Sequence, residues 1–289
     1  MAIEVAPGTP PLLLAISGGI DSVCLLHMMV ARQKETLIVA HVDHGIRPDS
    51  AADERFVREL AKQYHLPYVS TQLSLGPNAS EEEARNARYD FLLQQATTHQ
   101  ATIVTAHHQD DAIETIALNL WRGTGWRGLA VLNRPTILRP FIELSKSQLY
   151  RYALKHRLEW VEDSTNASSI YQRNRLRRRL ALQGKKLDKA ALMGLRAKQI
   201  QLKKDIEREE GHYHTTDLTL RHFMIQLDTA TAGELMAVAV ERLSGYRPTR
   251  PQVNAALLFV KTAKSGSCHQ VAKGVEIVCK TRYFEVRVV

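Results

Sequence analysis

The stretch Leu12-Leu13-Leu14-Ala15-Ile16-Ser17-Gly18-Gly19-Ile20-Asp21-Ser22 decides the fold of this chain. A short apolar run ends in Ser-Gly-Gly, and residues 23–31 continue with helical spacing, which reads as strand, loop, helix. Two glycines let backbone approach a ligand closely, at the start of a helix whose free N–H groups face an anion. No Gly-Lys-Ser/Thr follows, so the grip differs from that of the Walker loop. A Gly-Gly turn ahead of a capped helix is the plain alternative.

The same alternation continues downstream. Residues 36–42, 67–73 and 101–106 read as buried strands, and residues 51–64, 80–98 and 110–121 as helices between and after them. Parallel strands need such crossovers, and each helix must bury an apolar stripe, so the class is α/β: a Rossmann-like parallel sheet with helices on both faces. Ligands in such sheets sit beyond the carboxyl ends of the strands, where the strand order reverses. The segments starting at Ser17, His41 and His107 are expected there. After Pro140 the rhythm changes, with a helix at 145–156, a polar segment, and a charged helix at 187–210. The expected domains are a catalytic domain over 1–186, a connecting helix over 187–211 and a small α+β domain over 212–289.

Composition limits the function classes. The chain has 289 residues, 44% hydrophobic and 24% charged, without a low-complexity tract, so a folded protein of more than one domain is expected. The apolar run at 11–16 is too short to span a bilayer and lacks the basic flank of a secretion signal, so no membrane partner is expected. Cys24, Cys268 and Cys279 are odd in number and scattered. They suggest neither a disulfide framework nor a metal site, which fits a reducing cytoplasm. The net charge of +9 favours a polyanionic partner, and residues 170–187 hold seven basic residues and no acidic one.

Ser17 to Ser22 resembles the SGGxDS loop of the N-type ATP pyrophosphatases, or PP-loop enzymes, which cleave ATP between the α and β phosphates. His41-Val42-Asp43-His44-Gly45-Ile46-Arg47 and His107-His108-Gln109-Asp110-Asp111 narrow the likeness. With Arg122-Gly123-Thr124-Gly125, Arg139-Pro140, Glu162-Asp163-Ser164-Thr165-Asn166 and Arg173-Asn174-Arg175-Leu176-Arg177, they are similar to the tRNA(Ile)-lysidine synthetase family. That resemblance implies an ATP- and Mg²⁺-dependent ligase acting on isoleucine tRNA with a CAU anticodon. It would adenylate the wobble cytidine at carbon 2 and substitute free L-lysine there, releasing AMP and pyrophosphate.

Roles follow residue by residue as expectations. Ser17, Gly18, Gly19, Ile20, Asp21 and Ser22 would grip ATP, with His41, Val42 and His44 at the adenosine. Asp21 and Asp111 would hold Mg²⁺, because an acid beside phosphates is useful through a metal. His107 would orient the adenylated intermediate, and Asp111 would alternatively help deprotonate lysine. Glu114 stands one helical turn on from Asp111 and would bind the lysine ammonium. Arg85 or Arg88 would meet phosphate. Arg173, Asn174, Arg175, Arg177 and Arg178 would meet the tRNA backbone. Each has a plain alternative: helix N-capping for Asp110 and Asp111, a surface pair for His41 and His44, solvated helix faces for the arginines.

The pattern also departs from the family. Ala112 stands where the family motif continues with Gln, and Arg178-Arg179-Leu180 replaces an acidic, proline-containing ending. The small domain would either hold the tRNA body or pair two copies as a homodimer. Two rival functions share these features: a tRNA thiolation enzyme of the same superfamily, which needs persulfide or iron–sulfur cysteines, and a non-catalytic tRNA-binding protein.

Overall fold

A computed structural model describes residues 10–32, 36–43, 50–73, 80–123, 125–162 and 188–289. The chain divides into two compact units, Met1–Ala197 and Lys198–Val289.

The first unit is built on a five-stranded parallel sheet. Its strands are β1 (Leu12–Ala15), β2 (Leu37–Asp43), β3 (Tyr68–Gln72), β4 (Thr102–Val104) and β5 (Ile137–Leu138), in the order β3-β2-β1-β4-β5. The apolar β1 is the centre. Leu12 pairs with Leu37 on one side and with Thr102 on the other. Successive strand side chains point to opposite faces. Leu12 and Leu14 therefore join a core with helices α1 (Ile20–Arg32), α2 (Ser50–Gln63) and α5 (Lys146–Lys155). Leu13 faces the opposite layer, where Tyr89 and Leu92 of α3 (Glu81–Thr98) cover it. Helix α4 (Gln109–Trp121) follows β4, and its Ala112, Ile113 and Ile116 pack with Val131 and Met193.

This is the α/β class read from the sequence, with helices on both faces. The strand order reverses between β1 and β4, which opens a crevice at their carboxyl ends. Three details differ from the sequence reading. β5 is two residues long and was not foreseen. β2 runs one residue past the 36–42 read as a strand, through Asp43, so the segment from His41 begins inside the strand and not beyond its end. Short elements at Trp126–Leu129, Thr215–Leu218 and Arg221–Gln226 also carried no periodic signal.

The unit boundary falls inside helix α6 (Lys189–Glu210). The second unit continues with α7 (Thr215–Leu218), α8 (Arg221–Gln226), α9 (Thr229–Ser244), α10 (Arg250–Thr262) and an antiparallel sheet of β6 (Cys268–Ala272), β7 (Val275–Cys279) and β8 (Phe284–Val288). Met236 and Val240 of α9, Val260 of α10, and Ile277 and Phe284 of the sheet share one core. Arg221 fastens it by donating to the carbonyls of Val260, Ala263 and Lys280. Two of these are orphan carbonyls at and just past the end of α10, so the guanidinium satisfies groups the helix cannot.

Candidate active site

The loop after β1 folds as its residue types require. Gly18 has φ +91°, a region glycine enters without a Cβ penalty, and its carbonyl accepts from the Val161 amide at 3.0 Å. A Cβ on Gly19 would meet only Ser17 Oγ, at 3.6 Å. Ser22 Oγ donates to the Gly19 carbonyl at 2.8 Å and stands 3.2 Å from Ser17 Oγ, so the two hydroxyls bracket the helix start. The first amides of α1 and these hydroxyls make a cradle for an anion.

One residue into α1, Asp21 meets the loop after β4. Its Oδ2 lies 3.6 Å from His108 Nε2 and 3.7 Å from Lys146 Nζ at the start of α5. Burial alone would raise the Asp21 carboxyl, but the His108 hydrogen bond and the Lys146 and His108 charges outweigh it and hold it below the usual carboxylate range. Asp21 Oδ1 is buried with no hydrogen-bond partner. An ionised, half-satisfied carboxylate beside an anion cradle fits a cation. Among the described residues no group of three or more His, Cys, Asp and Glu side chains is set to hold a metal. A magnesium ion would therefore take one or two of these carboxylates together with oxygens of its ligand, as such ions commonly do.

His108 is the hub of this arrangement. It is 2% exposed, with Asp111 Oδ2 at 3.5 Å from Nε2 and Asp110 Oδ2 at 3.8 Å from Nδ1. Asp111 also accepts from the His108 backbone N–H at 3.0 Å, closing the first turn of α4. Asp110 accepts from the Lys146 amide at 2.7 Å and from Lys189 Nζ. Three carboxylates, one imidazole and two lysines thus gather from α1, the end of the β4–α4 loop, α4, α5 and α6.

His107 occupies a different environment. Its Nδ1 is 2.8 Å from Thr105 Oγ1. Burial pushes it down to about 3; the Asp111 charge opposes this, and Arg139, Arg88 and Arg85 reinforce it. The imidazole is neutral at ordinary pH. Glu114, one turn beyond Asp111, is 7% exposed on the inner side of α4.

The structure brings Ser17, Gly18, Gly19, Ile20, Asp21, Ser22, Asp111 and His107 to the carboxyl ends of β1 and β4, with Arg85 and Arg88 of α3 near His107. His41 is buried in β2, where Nδ1 donates to the Ile16 carbonyl at 2.8 Å and so supports the residue that enters the loop. Ala112 is fully buried in the apolar cluster of α4. His44, Arg173, Asn174, Arg175, Arg177 and Arg178 lie outside the described residues. Sequence reasoning assigned no role to His108, Lys146, Lys189 or Arg139. The doubled histidine before Asp110 and Asp111 was the one signal for His108; the lysines join Asp110 from 36 and 79 residues away.

The chain matches the family model of the PP-loop domain over residues 4–183. It is 40% identical over 169 residues to a tRNA(Ile)-lysidine synthase of Solibacter usitatus, covering 57% of this chain and 38% of that protein. The corresponding enzyme of Thermotoga maritima is 37% identical over 180 residues, covering 58% of this chain and 44% of that one. The chain thus spans less than half the length of these relatives. Among solved structures, the U34-tRNA thiolase NcsA of Methanococcus maripaludis aligns with TM-score 0.55 at 16% identity, over 71% of this chain and 74% of that one, a likeness of fold. With a family match over most of its length and a glycine loop, strand order and crevice to agree with it, the chain belongs to the PP-loop family.

Proposed function

We propose that this protein is an ATP-dependent ligase that joins lysine to carbon 2 of the wobble cytidine of CAU-anticodon isoleucine tRNA. The observation that carries the reading is Asp21, an ionised and half-satisfied carboxylate at the mouth of the glycine loop, linked through His108 to Asp111. Likeness to lysidine synthases over more than half of the chain supports the choice of substrate.

In this reading the cytidine O2 attacks the α phosphorus of ATP and pyrophosphate leaves. The lysine amine then attacks carbon 2, loses its proton, and AMP departs with O2. The loop amides with Ser17 and Ser22 hold the phosphates, and the end of β2 at Val42 meets the nucleoside, with the buried His41 supporting it through the Ile16 carbonyl. Asp21 and Asp111 would hold Mg²⁺, which neutralises phosphate charge when bound. His107, neutral and therefore able to donate or accept one hydrogen bond, orients the adenylated base. Glu114 provides a buried carboxyl group for the lysine ammonium, and Asp111 is, as the alternative to holding the metal, the group that takes the amine proton.

Thiolation suits these residues less well. Cys24 is buried, and its thiol is pushed up to about 12 by burial and the nearby Asp21 charge, the opposite of an activated sulfur. The decisive experiment supplies Mg-ATP, labelled lysine and a CAU-anticodon isoleucine tRNA transcript, and follows AMP release and lysine in RNA. Lysine incorporation is expected, and Asp21→Asn should lower it at least ~100-fold while leaving tRNA retention intact. AMP release without lysine in the RNA would reject the reading.

A further inference from the structure

The segment Trp121-Arg122-Gly123-Thr124-Gly125-Trp126-Arg127-Gly128 repeats Trp-Arg-Gly and holds two of the three tryptophans of the chain. The first copy begins on the last residue of α4, and the second opens the short helix Trp126–Leu129. Gly123 takes φ +70° and turns the chain between them. Asn119 Nδ2 donates to the Gly128 carbonyl at 2.7 Å, which holds the second copy against the end of α4.

The first copy is not packed into a core. Leu120 and Trp121 lie past Ile116, the last buried residue of α4, and are 51% and 68% exposed. Among the described residues no ring stacks on Trp121, and no carboxylate pairs with the exposed Arg122. In the second copy, Trp126 is partly exposed and the guanidinium carbon of Arg127 stands 4.5 Å from its ring centroid, so a cation already covers one ring face. An indole left bare in water gains when a flat apolar surface covers it.

Charge and shape together select the occupant. Between Glu114 and Glu143 the chain carries four arginines and no acidic residue, which favours a polyanion over a basic or neutral surface. A nucleotide offers both halves of what the repeat takes: a flat base for the indole and a phosphate for the neighbouring guanidinium. Bases inside a duplex have their faces covered by their neighbours, so the fit is to unpaired nucleotides. Helix geometry then sets the distance. Ten residues of α4 separate Asp111 from Trp121, about 15 Å along one rigid helix.

We propose that Trp121 and Arg122, with the Trp126–Arg127 pair beside them, form a stacking platform for unpaired nucleotides that flank the target base in the RNA loop. The inference rests on the tRNA reading above and extends it. The platform holds the loop splayed at a set distance from the reacting acids, so that one base reaches them while a neighbour is anchored.

The test uses the full chain, a CAU-anticodon stem-loop RNA, the same stem-loop with abasic loop positions, and a blunt duplex. Trp121 is exposed, so Trp121→Ala spares the core. It should weaken stem-loop binding at least ~5-fold without changing the salt slope, and Trp121→Phe should recover part of the loss. Arg122→Gln should instead reduce the salt slope by about one. Abasic loop positions should weaken binding to the wild type but add little to the loss in Trp121→Ala, because the two changes remove one contact. Duplex affinity and ATP affinity should both stay within two-fold of wild type in Trp121→Ala. Unchanged stem-loop affinity in that variant overturns the proposal, as does an equal loss on the duplex, and either result beside normal lysine transfer by the wild type would overturn it alone. Wild-type protein whose RNA binding depends on Trp121 yet which transfers no lysine would overturn the ligase reading alone.

Discussion

His107 and His108 are adjacent, the first partly exposed and the second buried, yet they are pushed in opposite directions. Burial dominates at His107, and the arginines beside it add to the effect. At His108 burial also acts downward, but the Asp21 hydrogen bond and the Asp111, Asp21 and Asp110 charges outweigh it and raise the pKa. The consequences for stability have opposite signs. Below about pH 6.5 the unfolded chain protonates the His107 imidazole and the folded chain does not, so stability falls by up to ~1.4 kcal/mol per pH unit on acidification. Above about pH 6.5 the folded chain retains a His108 proton that the unfolded chain releases, so that contribution is lost as pH rises through the raised value. Thermal melts across roughly pH 5 to 8 should show His107→Gln flattening the acid side and His108→Gln the alkaline side. Identical pH profiles for the two variants would contradict this account. Residue identity alone did not reveal the contrast, because spacing does not say which of two neighbouring rings turns toward the acids.

At the scale of elements, most of the first unit was legible. β1 and β2 are nearly unbroken apolar runs, as strands covered on both faces must be. The helix read at 80–98 starts where Ser80 and Glu83 each cap the other's backbone amide. β5 was illegible because Ile137 and Leu138 are too few for any period and stand between Arg134-Pro135 and Arg139-Pro140. β6 was missed because its side chains are largely exposed or partly so, and only Val271 is buried. The glycine loop gives a sharp test at this scale. A Cβ on Gly18 would find ordinary contacts, with Val57 at 3.4 Å, but its φ of +91° strains any L side chain. Gly18→Ala should therefore destabilise the protein by ~1–3 kcal/mol. Gly19→Ala, lacking positive φ and meeting only Ser17 Oγ at an ordinary 3.6 Å, should leave the melting temperature nearly unchanged and still weaken ATP binding, because its methyl enters the cradle. Equal melting temperatures for the two variants would contradict the loop geometry.

For the whole molecule, the net charge of +9 and the basic run at 170–187 predict RNA binding governed by counterion release. The logarithm of affinity should fall linearly with the logarithm of salt, with a slope steeper than about −4 if six or more phosphates are met. A flat response would remove that basic segment from the interface. No helix among the described residues is long and apolar enough to cross a membrane. The order β3-β2-β1-β4-β5 also carries a consequence for biosynthesis. β1 leaves the ribosome early and gains β2 soon after, but its other neighbour, β4, begins only at Thr102. At ordinary translation speeds that delay is on the order of ten seconds, far longer than local collapse. Throughout it, this apolar central strand keeps one edge open, so the nascent protein is most exposed to misassociation before the strand that completes the crevice has been made.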